Sequence, residues 1–180
     1  MAKIYKLDLK GAAGKLSPLY DNLPQKLKLY VDNKKSEKGM AETLGCLYLL
    51  NHALSGTGYS LSDLYYDENG KPKIDGIYFS LAHSKGFCVC AVGKREIGID
   101  IEKIEQKPRL SLRLFSEKER EYAAKSYENF YEIWTKKEAA AKLSGGGIKD
   151  FKNIDVFSKK YKFTVETIGD FIITLCELND

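Results

Sequence analysis

The sequence has little histidine, little net charge and no long apolar run, and each shortage removes a class of answer. Only His52 and His83 occur in 180 residues, with nothing paired to either by spacing, too few nitrogen donors for a zinc site. No stretch approaches the roughly 18 apolar residues of a membrane span, and the opening MAKIYKLDLKGAAGK lacks the apolar run of a signal peptide. A cytoplasmic chain with no membrane partner is expected. The 29 Lys and Arg interleave with 25 Asp and Glu, and a net charge of +4 is too small to announce a nucleic-acid binder, although it suits a partner with an acidic face. No low-complexity tract and no Pro/Gly/Ser linker divides the chain.

What is present is core material. At 43% hydrophobic and 12% aromatic residues, the chain is long enough to bury one continuous core or two small ones. Cys46, Cys88, Cys90 and Cys176 lie in apolar segments and read as reduced core residues rather than metal ligands or disulfide partners.

The apolar pattern predicts an opening strand over Lys3 to Leu9 and a helix from about Ser36 to Leu54, with Met40, Leu44, Leu47 and Leu50 at helical recurrence. Turn chemistry at Asp67 to Pro72 precedes three strand-like runs, Gly76 to Ser84, Phe87 to Val92 and Glu96 to Ile104. Their short connections, Ser84-Lys85-Gly86 and Gly93-Lys94-Arg95, predict a meander of adjacent antiparallel strands. Ser116-x2-Glu119 is a capping box, a second helix runs from about Asn129 to Leu143 and stops at Gly145-Gly146-Gly147, and a hairpin turned at Gly169-Asp170 follows. Strands and helices arrive in blocks, which predicts an α+β fold built on antiparallel sheet. Half-domains over residues 1–94 and 95–180 are expected.

In Ile97-Gly98-Ile99-Asp100-Ile101-Glu102 the strand period sends the isoleucines to one face and Gly98, Asp100 and Glu102 to the other. Two readings fit: the solvent face of a half-buried strand, or an oxygen cage for Mg²⁺, which takes one or two protein carboxylates and completes its shell with water and substrate phosphates. On the later helix Phe130, Ile133, Trp134 and Ala141 form an apolar stripe, with Lys137 inside it, Glu138 at its edge and Lys142 one turn on. Glu138 and Lys142 could be a surface pair, but a charge on an inward face needs a partner. His83 ends a strand, where it is either a hydrogen-bonded core histidine or a group reaching a phosphate. Gly70-Lys71-Pro72 reads as a turn, and Lys34, Lys35 and Lys38 as a small basic cluster.

Together the segments Gly70-Lys71-Pro72, Phe79 to Ser84, Gly98 to Glu102 and Phe130-x3-Trp134-x2-Lys137-Glu138-Ala139-x2-Lys142-x2-Gly145-x-Gly147-Ile148 resemble the Sfp-type 4′-phosphopantetheinyl transferases, over about residues 65–150. The resemblance implies two similar α+β halves related by a pseudo-twofold, each an antiparallel sheet packed on a helix, with coenzyme A in the cleft between them. It places Mg²⁺ at Asp100, Glu102 and Glu138, and makes Glu138, or a metal-bound water, the base for the carrier serine. Asp100 and Lys142 are catalytic beside Glu138. His83 falls at the pyrophosphate, Lys137 and Lys142 at phosphate oxygens and Lys71 near the nucleotide, with Pro72 and Ser84 also among the residues that bind the coenzyme. The partner implied is an apo acyl or peptidyl carrier protein, and the product is 3′,5′-ADP. The family's arginine in the first long helix is missing, leaving Lys34, Lys35 or Lys38 to grip the 3′-phosphate; the chain is also shorter than many members. A monomer is expected, since one chain holds both halves.

Two competing readings differ in class. A basic nucleic-acid module would use Tyr122, Tyr127 and Tyr131 with neighbouring lysines, against the acidic interleaving. A silent relative would bind carriers without modifying them, against the intact Asp100, Glu102, Glu138 and Lys142.

Overall fold

The structure, a computed structural model, describes residues 2–106 and 112–179, with the backbone alone at Ile148 and Lys149. The chain runs β1 (Lys3–Asp8), α1 (Ala13–Asp21), α2 (Gln25–Asp32), α3 (Glu37–Leu54), β2 (Tyr65–Tyr66), β3 (Pro72–Lys73), β4 (Tyr78–Ser84), β5 (Phe87–Gly93), β6 (Ile97–Lys103), α4 (Glu117–Ala123), α5 (Tyr127–Ser144), β7 (Tyr161–Ile168) and β8 (Phe171–Leu178). Sheets of order β1-β5-β4, β2-β3 and β6-β8-β7 are antiparallel throughout, so the fold is α+β.

Each three-stranded sheet carries a long helix. The Ser36 hydroxyl caps α3 by accepting the Gly39 N–H at 3.1 Å. The helix then buries Cys46, Leu47, Leu50 and Leu54 against Leu7, Cys88 and Cys90 of the first sheet. Gly45 allows this approach, since a Cβ there would stand 2.7 Å from the Cys88 sulfur. Ser126 caps α5, and Gly145, left-handed at φ 79°, ends it. Its Ile133, Trp134 and Ala140 pack with Phe115, Phe151 and Cys176. All four cysteines are buried and free. Among the described residues no helix is long and apolar enough to cross a membrane.

Of three expected hairpins, those turned at Lys85-Gly86 and at Gly169-Asp170 are present and one is not. Ser84 pairs with Phe87 across Lys85 and Gly86, both at positive φ, the backbone of a two-residue primed turn. At residues 94–96, however, the chain leaves the first sheet, and β6 pairs with β8 instead of β5. The reason is burial. Ile97, Ile99 and Ile101 share a core with Ala82, Val89 and Ala91 of the first sheet and with Ile173 and Leu175 of β8, so the isoleucine face of β6 joins the sheets. Between β4 and β6 serine hydroxyls replace a backbone ladder: Ser80 accepts the Ile99 N–H at 3.0 Å and Ser84 that of Lys103 at 3.4 Å.

Helices α1 and α2 and the small β2-β3 ladder were not expected. Neither helix has a side-chain N-cap, and Pro18 lies inside α1, so the local start signals are missing.

Candidate active site

Gly98 sets the geometry. A Cβ at this position would lie 1.8 Å from the Ala139 carbonyl oxygen and 2.7 Å from the Leu143 nitrogen, so only glycine lets α5 rest this closely on β6. That approach sets Glu138 and Lys142 of α5 against Asp100 and Glu102 of β6. The Lys142 Nζ meets Asp100 Oδ1 at 2.7 Å. Asp100 is only 5% exposed, and its other oxygen, Oδ2, is buried with no hydrogen-bond partner. Glu102 accepts the Ser84 hydroxyl at 2.8 Å.

The electrostatics follow from crowding acids in a half-dry place. Burial, more than the attraction of Lys142 can offset, raises the Asp100 carboxyl. Burial and then the neighbouring Asp100 push Glu102 up to about 7, and the same two causes push Glu138 up to about 7. Burial would lower the Lys142 ammonium, but Asp100 and Glu138 more than compensate and raise it. Among the described residues no three His, Cys, Asp or Glu side chains converge into a ready-made metal cage. The donors fit a small hard cation all the same: Mg²⁺ needs one or two carboxylates, with water and ligand phosphates for the rest. The partnerless Asp100 Oδ2 is a buried acceptor of the required kind.

One cavity reaches this cluster at Lys142, and a second adjoins the first at Gly70, Pro72 and Leu81. One, of ≈ 250 Å³, is lined by Lys71, Phe79, Lys142 and Gly145. The other, of ≈ 180 Å³, is lined by His83, Lys34, Tyr30, Tyr66 and Cys46. Lys71 bridges the loop to the opposite wall, with Nζ 2.8 Å from Glu96 and 3.4 Å from the Leu143 carbonyl. Lys34 lies 3.8 Å over the Tyr30 ring, which itself stacks on Tyr66 at 4.7 Å. Lys38 is exposed and 3.8 Å from Glu42, whose carboxylate also faces His83 Nδ1 at 3.2 Å. Burial, the largest influence on His83, lowers its pKa.

Two expected ligand contacts need correction. Lys137 is 1% exposed and lies outside the groove, 2.9 Å from Glu119, itself fully buried, and its ammonium also donates to the Phe151 and Ile154 carbonyls. Three acceptors engage three protons, which leaves none for a phosphate. The partner that its inward position demanded is Glu119, which also closes the Ser116 capping box and accepts the Val156 N–H. Ser84, for its part, turns toward β6, where its hydroxyl holds Glu102 instead of facing a ligand. The side chain of Ile148, the last residue of the long motif, lies outside the described residues.

Sequence reasoning passed over Glu42, Glu96 and the Tyr30–Tyr66 pair. Only Glu42 left a signal, as a carboxylate on the inner side of α3. The capping box announced Glu119 as a helix cap, not as the counterion of Lys137.

Part of the chain is similar to known proteins. Residues 96–176 match the model of the 4′-phosphopantetheinyl transferase superfamily. The 4′-phosphopantetheinyl transferase gsp of Aneurinibacillus migulanus is 35% identical over 46% of this chain and 38% of its own length. The 4′-phosphopantetheinyl transferase of Bacillus subtilis is 29% identical over 62% of this chain and 51% of its own. AcpT of Salmonella typhi is 31% identical over 59% and 60%. The chain thus spans about half the length of the curated relatives it matches. The matched segment, residues 96–176, carries Asp100, Glu102, Glu138 and Lys142.

Proposed function

We propose that this chain transfers the 4′-phosphopantetheine of coenzyme A to a serine of an apo acyl or peptidyl carrier protein and releases 3′,5′-ADP. The observation that carries the reading is the partnerless Asp100 Oδ2 beside two carboxylates held near pKa 7 and a lysine, at the end of a groove lined by basic side chains.

Asp100, Glu102 and Glu138 would hold Mg²⁺, which supplies neutralising charge to the pyrophosphate and to the oxyanion that leaves. Lys142, fixed by Asp100, presents its remaining protons to phosphate oxygens, and Lys71, Pro72 and His83 line the groove for the nucleotide and pyrophosphate. Glu138 accepts the serine proton as the hydroxyl oxygen attacks the β-phosphorus. A new serine–phosphorus bond forms, the bond between that phosphorus and the bridging oxygen breaks, and 3′,5′-ADP departs with the electron pair. The work of the protein is positioning and charge stabilisation. Lys34, which lines the groove while Lys38 stands outside it, suits the 3′-phosphate. The halves 1–94 and 95–180 act together as one cytoplasmic monomer.

Intact-protein mass spectrometry of apo carrier proteins incubated with the chain, coenzyme A and Mg²⁺ tests this. A gain of one phosphopantetheine, lost with EDTA and with Glu138→Gln, is expected. No gain across several carriers and no coenzyme A binding would overturn it.

A further inference from the structure

Glu42 is a buried carboxylate with no part in the mechanism above. It is 7% exposed on α3, beside a groove meant for a polyanion, where an unengaged negative charge would repel the ligand. Both of its oxygens are engaged. Oε1 accepts the Gly86 N–H at 2.8 Å, which pins the β4–β5 turn immediately after His83, and Oε2 stands 3.2 Å from His83 Nδ1. With Nδ1 turned to Glu42, Nε2 is the ring nitrogen left for the groove that His83 lines. The exposed Lys38, 3.8 Å away, contributes little to this arrangement.

We propose that Glu42 is a positioning residue: it fixes the tautomer and orientation of His83 so that Nε2 meets the phosphates of the coenzyme, a step that rests on the transferase reading. A carboxylate behind the imidazole and a phosphate before it make the ring a bridge between two anions. This is the arrangement by which outer partners orient histidine ligands elsewhere.

The first arm of the test needs no ligand. Nitrogen-15 NMR of the imidazoles in the full chain, with His52→Gln to assign the two rings, is expected to show neutral His83 as the Nδ1–H tautomer. A dominant Nε2–H tautomer overturns the proposal. The second arm is kinetic. Glu42→Gln keeps the shape of the side chain and is expected to raise KM for coenzyme A about tenfold, the size of one charge-assisted hydrogen bond, with kcat within about twofold. In a His83→Ala background the same substitution should change KM no further. An equal rise in both backgrounds means that Glu42 does not act through His83, and overturns the proposal. A chain that shows the Nδ1–H tautomer yet binds no coenzyme A refutes the transferase reading while upholding the hold of Glu42 on His83.

Discussion

Helix α5 carries two lysine–carboxylate pairs little more than one turn apart, one fully buried and one half-buried, and they differ in how far they are satisfied. Lys137 and Glu119 are closed: three acceptors meet the ammonium, and Glu119 accepts from Ser116 and Val156 besides. Lys142 and Asp100 are open: the ammonium has protons to offer and Asp100 Oδ2 has no partner. Desolvation charges both pairs for leaving water, but only the first is fully compensated within the chain. The difference teaches that a buried pair at saturation is architecture, whereas one short of partners marks where a ligand belongs.

The largest expected effect breaks the closed pair. Lys137→Met leaves Glu119 buried without its counterion and should cost about 3–5 kcal/mol in urea unfolding. Lys142→Met, whose partner lies at the groove, should cost clearly less stability while abolishing transfer. Equal losses of stability would erase the distinction. Next, Glu138→Gln removes the proposed base without removing volume, and the transfer rate should fall by about 10²–10⁴-fold with the fold intact by circular dichroism. A rate within a few-fold of the parent would take Glu138 out of the base role.

Gly98→Ala sharpens the comparison by moving one pair and sparing the other. Its Cβ would collide with the backbone of α5 at Ala139 and Leu143, which cannot yield without shifting the helix near Lys142. A loss of about 1–3 kcal/mol is expected, with transfer reduced beyond what the unfolded fraction explains. Full activity in the folded fraction would show that the close approach is not what sets the site.

How legible these pairs were depends on the range of the forces that made them. Asp100 and Glu102 share a strand face by a period of two, and Glu138 and Lys142 a helix edge by i,i+4; local geometry alone brings each couple together. The capping box at Ser116 and the glycine stop at Gly145 are likewise local and stand where the spacing put them. Lys137 was misplaced because its partner is 18 residues away, through a contact that no periodicity encodes. The departure of β6 from β5 has the same origin: a short connection reads as a hairpin, while the distant Ile173 and Leu175 decide which sheet the strand joins. The pairing of Glu42 with His83, 41 residues further on, is not encoded for that reason too.

The smallest expected effect is a pH slope at Glu138, beside the open pair. Glu138 is held near pKa 7 in the folded chain, against 4.5 as its ordinary value. Below 4.5 it is protonated in both states and contributes its full stabilisation. As pH rises toward 7 the unfolded chain releases the proton first, so stability falls, and the loss is complete once pH has passed through the folded pKa. Allowing for solvent screening at the groove, the loss is about 1–2 kcal/mol, or roughly 2–8 °C in melting temperature between pH 5 and pH 7.5. Glu138→Gln, which has no proton to release, should melt as the parent does at pH 5 and above it at pH 7.5. Groups outside the cluster titrate alike in both proteins, so the difference between the two melting curves reports Glu138 together with the charges that face it. Parallel curves across that window would mean that the carboxylate is already compensated, and the cluster would then be closed like Lys137 and Glu119 rather than open to a cation and a phosphate.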